Sequence, residues 1–409
     1  MDPEEFFRKA GLKPRPLQLE VAKQLAEMLE SGSVGLEAPT GFGKTITVLA
    51  AISLANAFPV TWRVRTYALA RHIANQSLLF DLRPFIVAGR ERTCPRAKEL
   101  GPSLPFYCRY FRHKCSIFRS DLRNLELDAL KHPVLSYEDL IDLIRGQACP
   151  YFSQMSVRAD VYVTHYSNSL PLPSPEVVDE AHNVVKIQGL PLTRVREALA
   201  ELGIDYNDYK ELRYPRFFVE KSLPLILERL EKGSRLVSAP VLFNMLMGAE
   251  TAWVEESQLF TLKIFRPKTP AIFISATLSP ISKILRVPII KVRQPRRHAF
   301  VATWLTTKFT DYDARMADRY DALIFLLRKY YGKIIVFATE RVGALLHPTL
   351  SEDDLPLQSD WQGVLLLSPR GRWAEGVDVE ADAVVLAGVP YPPPGTIKGL
   401  SPDDIVTIT

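Results

Sequence analysis

Ser33-Val34-Gly35-Leu36-Glu37-Ala38-Pro39-Thr40-Gly41-Phe42-Gly43-Lys44-Thr45 decides the fold of this chain. A short apolar run, Ser33 to Ala38, predicts a strand that ends in a glycine-bearing turn. From Thr45 to Ala57 the sequence continues as an apolar helix. Strand, glycine turn and helix in that order are the context a phosphate loop needs. Backbone N–H groups of the turn, at a helix N-terminus, wrap phosphates where the dipole favours anions. The pattern G-x-x-x-x-G-K-[ST] is met from Ala38 to Thr45 with Ala in place of the first Gly. Thr40, Gly41 and Gly43 are the expected cradle, Lys44 reaches the β- and γ-phosphates, and Thr45 binds Mg²⁺ through its hydroxyl.

Working outward, residues 17 to 30 carry the 3.6-residue periodicity of an amphipathic helix. Gln18, after Arg15-Pro16-Leu17, is a candidate reader of an adenine edge. Val60 to Thr66 reads as the next strand. Val177-Val178-Asp179-Glu180-Ala181-His182 then sets two carboxylates behind an apolar pair. At a strand end Asp179 suits holding the metal and Glu180 suits polarising the attacking water. The competing reading is an Asp-Glu pair at a helix start, where the dipole favours acids. Ser275-Ala276-Thr277 follows a buried-strand run, Ala271 to Ile274. Gly371 to Asp378 supplies two glycines and the acids Glu375 and Asp378 on a loop. Together these point to nucleotide hydrolysis on an α/β fold.

All four cysteines fall between Cys94 and Cys149, separated by 13, 6 and 33 residues. Structural zinc usually takes paired C-x₂₋₄-C knuckles, which this spacing lacks. Iron–sulfur, zinc and plain buried thiols all stand as readings of the spacing. Ligation is favoured because Cys94, Cys108 and Cys115 lie in basic, Pro-rich sequence, and a four-thiolate set suits an iron–sulfur cluster.

A net charge of +5 with 47% hydrophobic and 24% charged residues is that of an ordinary globular protein. The chain has no run of about 18 uncharged apolar residues, and Met1-Asp2-Pro3-Glu4-Glu5 does not resemble an export signal. A cytoplasmic location, nucleoid-associated if the source is archaeal, is expected; there thiols stay reduced. Cations alternate with rings through Arg109, Tyr110, Phe111, Arg112 and Phe118. That segment reads equally as solvated surface or as a path for single-stranded nucleic acid, with Tyr110 stacking and Arg112 pairing phosphate. Arg293 to His298 is a second basic knot and reads as solvated charge.

From Leu82 to Pro150 the apolar pattern breaks up, as in a small inserted domain. Residues 190–268 lack strand alternation and read as a second, helical insertion. Strand runs at 333–337, 364–367 and 383–386 predict a second α/β unit.

With these residues assembled, the chain resembles the XPD family of iron–sulfur helicases in superfamily 2. The match runs through Glu37 to Thr45, Trp62 to Thr66, the four cysteines, Asp179 to Asn183, Ser275 to Pro280, Gly371 to Asp378 and Gly388 to Pro392. The resemblance implies two RecA-like α/β motor domains, parallel sheets flanked by helices. The first carries an iron–sulfur insert and a helical arch insert. The implied division is 1–90, 151–189 and 269–282 for motor domain 1, 91–150 for the cluster domain, 190–268 for the arch, and 283–409 for motor domain 2. It further implies a [4Fe–4S] cluster on Cys94, Cys108, Cys115 and Cys149. ATP and Mg²⁺ are the other expected cofactors. Lys44, Asp179, Glu180 and His182 are implied as catalytic, with Glu375, Gly376 and Asp378 completing the nucleotide site. Arg65 and Thr66 are implied on the DNA backbone.

The activity implied is ATP-driven 5′→3′ unwinding of DNA in nucleotide excision repair. A monomer acting on single-stranded and forked DNA, with repair proteins as partners and no membrane, is expected. Its 31 prolines and few cysteines suit a thermophilic archaeal source. The family continues after the Pro390-Tyr391-Pro392 region into a Gln-x-x-Gly-Arg-x-x-Arg motif, which this sequence lacks. That departure favours an alternative: a DNA-binding scaffold that holds ATP without unwinding. A zinc-bearing nucleotidase or kinase is a third reading, and it leaves the second α/β unit unexplained.

Overall fold

The computed structural model of the chain describes residues 3–118, 135–144, 146, 148–205, 212–255, 257–293, 300–307, 311–355, 357–358, 360–368 and 379–388. Two compact units are present, one built on Met1–Gln294 and the other on Pro295–Gly395.

The larger unit is centred on seven parallel strands. In chain order they are β1 (Val34–Glu37), β2 (Val60–Val64), β3 (Pro84–Val87), β4 (Val161–His165), β5 (Glu176–Val178), β9 (Ala271–Ser275) and β10 (Ile289–Lys291). Their spatial order is β10-β1-β9-β5-β2-β4-β3. Every residue of β1, β2, β3, β5 and β9 is buried. Parallel strands covered on both faces must be apolar almost throughout, which is why they read as continuous runs. The helix Gln18–Ser31 buries Gln18, Val21, Ala22, Leu25, Ala26 and Leu29, one stripe at helical spacing. The helix Lys44–Leu54 is buried from Thr47 to Ile52 and packs into the same core.

Two features differ from the sequence reading. β10 pairs with β1, Ile289 opposite Gly35 and Ile290 opposite Leu36. The first sheet therefore runs past residue 283, and the units divide after Gln294. Residues 190–268 are also not purely helical. β6 (Val185–Pro191), β7 (Thr251–Glu255) and β8 (Gln258–Ile264) form an antiparallel sheet in the order β6-β8-β7. Helices Leu192–Leu202, Pro215–Glu231 and Ser238–Leu246 complete that module. Its core also takes Phe106 and Phe111 from the cysteine-bearing segment.

The smaller unit holds three parallel strands, β11 (Lys333–Ala338), β12 (Gly363–Leu367) and β13 (Ala383–Ala387), in the order β12-β11-β13. The helix Ala314–Leu327 is capped by Asp313, whose carboxylate accepts from the Met316 N–H at 2.9 Å. No helix among the described residues is long and apolar enough to cross a membrane.

Candidate functional site

Because the seven strands are parallel, their carboxyl ends share one edge, where open α/β sheets bind ligands. Along that edge stand, in order, the phosphate loop after β1, Ser275 ending β9, Asp179 after β5, Arg65 after β2, His165 ending β4, and the run to Cys94 after β3.

The loop is shaped by its own backbone. Gly41 and Gly43 take φ of +78° and +85°, a region that side chains with a Cβ avoid. A Cβ on Gly43 would also stand 2.5 Å from Gln18 Nε2. Lys44 Nζ donates to the carbonyls of Ala38 and Pro39 at 3.2 and 3.4 Å, across the turn it serves. Thr40 and Gly41 are exposed, and Thr45 is half-buried at the helix start. Gln18 braces the loop from behind. Its Nε2 donates to the Phe42 carbonyl at 2.8 Å, while its Oε1 accepts from the Arg15 N–H at 2.7 Å. The amide expected at an adenine edge is thus buried against the loop. Arg15, which the sequence reading passed over, donates to the Gly41 carbonyl.

Asp179 lies immediately after β5, and Glu180 takes the N-cap position of the short 3-10 helix Ala181–Val184, so the pair stands both at a strand end and at a helix start. Its Oδ2 accepts from the Trp62 indole at 3.3 Å and its Oδ1 from the Glu180 N–H at 2.9 Å. Burial, with the Glu180 charge beside it, pushes its carboxyl up to about 6, against the pull of Lys44 and the Trp62 hydrogen bond. A carboxylate held in that state gains from a cation. Glu180 has φ of +46°, a strained setting for a glutamate. The Tyr166 hydroxyl holds this turn by donating to the carbonyls of Asp179 and Glu180.

His182 joins two strand ends. Its Nδ1 lies 3.0 Å from Ser275 Oγ and 3.3 Å from Glu180 Oε2, and its Nε2 accepts from Asn183 Nδ2 at 3.0 Å. Ser275 Oγ also accepts from the Thr277 N–H at 3.2 Å. The acid turn and the Ser275-Ala276-Thr277 segment are therefore one hydrogen-bonded assembly. Glu37 fixes the far side, its Oε2 accepting from the N–H of Leu278 at 3.0 Å and from Ser279. Burial works against its charge, but hydrogen bonds from Lys291 and Ser279 outweigh that and hold its carboxyl below the ordinary value.

Arg65 is exposed, and its guanidinium donates to Asn183 Oδ1 at 3.5 Å. Thr66 caps the helix Tyr67–Leu78, accepting from the Leu69 N–H at 3.2 Å. Arg63, two residues before Arg65, is spent internally: it pairs with buried Glu176 and donates to the Asn168 carbonyl at 3.1 Å. A cation in an apolar strand demands such a partner, a signal the sequence offered. Tyr110 packs against the core of the β6–β8 module, with Arg109 over its ring at 5.4 Å, and Arg112 is exposed over Phe118. Glu375, Gly376 and Asp378 lie outside the described residues, as does the second basic knot beyond Arg293.

The four cysteines are free thiols, each half-buried. Every pair among them interacts electrostatically: Cys108 with the other three, Cys149 with Cys94 and Cys115, and Cys94 with Cys115. Burial first, then the neighbouring thiols, push Cys108 up to about 11. Convergence of all four fits a thiolate site. Among the described residues, however, no group of three or more His, Cys, Asp or Glu is placed to hold a metal ion. Rings beside the cysteines pack together, Phe118 with Phe152 at 5.3 Å and Tyr107 with Phe111 at 5.5 Å.

No family model matches the chain. It is 27% identical over 220 residues to the ATP-dependent DNA helicase XPD of Sulfolobus acidocaldarius, a match covering 49% of this chain and 39% of that protein. The matched region is thus well under half the length of that relative. A solved XPD helicase shares the fold with a TM-score of 0.56 at 19% identity, over 93% of this chain and 86% of that one. The Xpd4 structure from S. tokodaii gives 0.54 at 14% identity, over 93% and 84%. The resemblance to the XPD family is borne out in sequence, and the α/β class with its large parallel sheet is borne out in fold.

Proposed function

We propose that this chain is an ATP-driven DNA helicase of the XPD kind, translocating 5′→3′ on single-stranded and forked DNA in nucleotide excision repair. The observation that carries the reading is the single sheet edge that brings the phosphate loop, the Asp179–Glu180 turn, the Ser275 link and Arg65 into one row. In this reading Lys44 takes the β- and γ-phosphates, and Thr45 with Asp179 holds Mg²⁺. Buried beside Glu180, Asp179 gains most from that cation. Glu180 orients the attacking water. His182 passes the state of that turn to Ser275 and so to β9. Arg65 and Thr66, with Tyr110 and Arg112, grip the strand; phosphate contacts make binding independent of sequence.

Cys94, Cys108, Cys115 and Cys149 would hold a [4Fe–4S] cluster, which supplies a covalent staple when bound. Thiolates around one zinc ion sit about 2.3 Å from the metal and nearly touch one another. The charges of Arg90 and Arg96 lower the Cys108 and Cys94 thiols, against the larger upward effect of burial.

DNA-stimulated ATP hydrolysis by wild type and Lys44→Ala tests the motor. Turnover should fall by about 10²-fold or more, the usual cost of removing a preorganised charge partner. Unchanged turnover would falsify the assignment of this loop. DNA binding with no hydrolysis in the wild type would leave the scaffold reading standing instead.

A further inference from the structure

Lys186 on β6 and Lys263 on β8 are direct partners across the antiparallel ladder. Like charges so placed repel one another. Among the described residues neither lysine forms an ion pair, and Lys263 Nζ donates only to the Asn244 carbonyl, at 2.6 Å. The nearby Glu250 carboxylate is taken by Arg266. Burial and then Lys186 push the Lys263 ammonium down to about 8. On the adjoining sheet edge, His165 ends β4 beside Arg65 and within the field of Lys186. Its Nδ1 accepts from the Ser167 N–H at 3.1 Å, and the ring also hydrogen-bonds the Arg65 backbone, setting the imidazole beside Arg65.

Fold stability does not explain two lysines opposed without an acid. A bound polyanion does, because each phosphate met by a lysine releases condensed counterions. We propose that Lys186, Lys263 and His165 form a phosphate-binding step for one strand of nucleic acid, continuous with Arg65 along the sheet edge. The inference rests on the nucleic-acid reading above. It adds a contact surface from the β6–β8 module that none of the sequence motifs contains.

The test is binding of a fluorescent oligothymidylate to the full chain between 50 and 200 mM salt, for wild type, Lys186→Met, Lys263→Met and the double variant. Each single substitution should lower the slope of log K against log salt by roughly 0.7, and the double by about twice that. Lys263→Arg should keep the slope, which separates lost charge from lost folding. ATP hydrolysis without DNA should be unchanged. Wild-type slopes in both Met variants would overturn this proposal and leave the helicase reading intact. Failure of the wild type to bind any oligonucleotide would overturn both. Equal, lysine-dependent binding of polyglutamate would show an acidic protein surface to be the occupant and overturn the phosphate assignment.

Discussion

At the β1 end of the sheet edge, the loop from Ala38 to Thr45 is held by glycine conformations and backbone carbonyls, with Gln18 and Arg15 bracing it from outside. At the β3 end, thiols arrive from Cys94 to Cys149 across separate segments, with ring pairs Tyr107–Phe111 and Phe118–Phe152 in the same sequence stretches. The first site is local and preformed. The second is assembled from residues far apart in the chain, Cys94 and Cys149 lying 55 positions apart. The difference teaches that the two ends should fail separately, one by chemistry and the other by folding.

Cys108→Ser presses hardest on that separation. We expect complete loss of iron and of strand separation, with nucleotide affinity within about twofold of wild type, as for distant independent sites. Iron analysis, unwinding and nucleotide titration on one preparation check it. Coupled loss of nucleotide binding would collapse the two ends into one.

Phe106→Ala is the next largest effect. Phe106 is 3% exposed and packs edge-on against Phe243 at 5.0 Å. Truncation should cost about 3–5 kcal/mol, measured by chemical denaturation, and should loosen the thiol end without altering the phosphate loop.

A smaller effect, of opposite sign, belongs to Asp179→Asn. The folded-state carboxyl lies near 6, above its ordinary 3.8, so ionising it costs the fold stability. That cost is absent below about pH 4, grows through the window between the two values, and is full above about pH 6. The substitution should therefore raise stability at pH 7 by about 3 kcal/mol while abolishing hydrolysis, and most of the gain should vanish at pH 4. Thermal unfolding at the two pH values reads this directly.

Much of the fold was legible because parallel strands buried on both faces leave continuous apolar runs, as in Val60–Val64 and Ala271–Ser275. The hairpin of β7 and β8 was not, for a physical reason. Of β7 only Ala252 is buried, and one of the two buried positions of β8 is Thr261. An inward threonine hides the alternation that marks a strand. β10 escaped notice because three residues carry too little pattern. In the site, the phosphate loop and Asp179-Glu180 were readable because their residues are contiguous. Trp62 and Tyr166, which hold Asp179 and its turn, were not: the indole contact spans 117 residues of chain, and no local period announces such a contact. The gathering of the cysteines could be anticipated from their confinement to one segment.

Phe106 and Phe111 lie in the same core as the helices of the β6–β8 module. Ser103 Oγ donates to the Leu236 carbonyl at 3.1 Å, and Lys114 pairs with Glu231 at 3.2 Å. Cys108 sits between these attachments. The two insertions are consequently geared together: a tilt of the module displaces a thiol, and a clamp on the thiols stiffens the module.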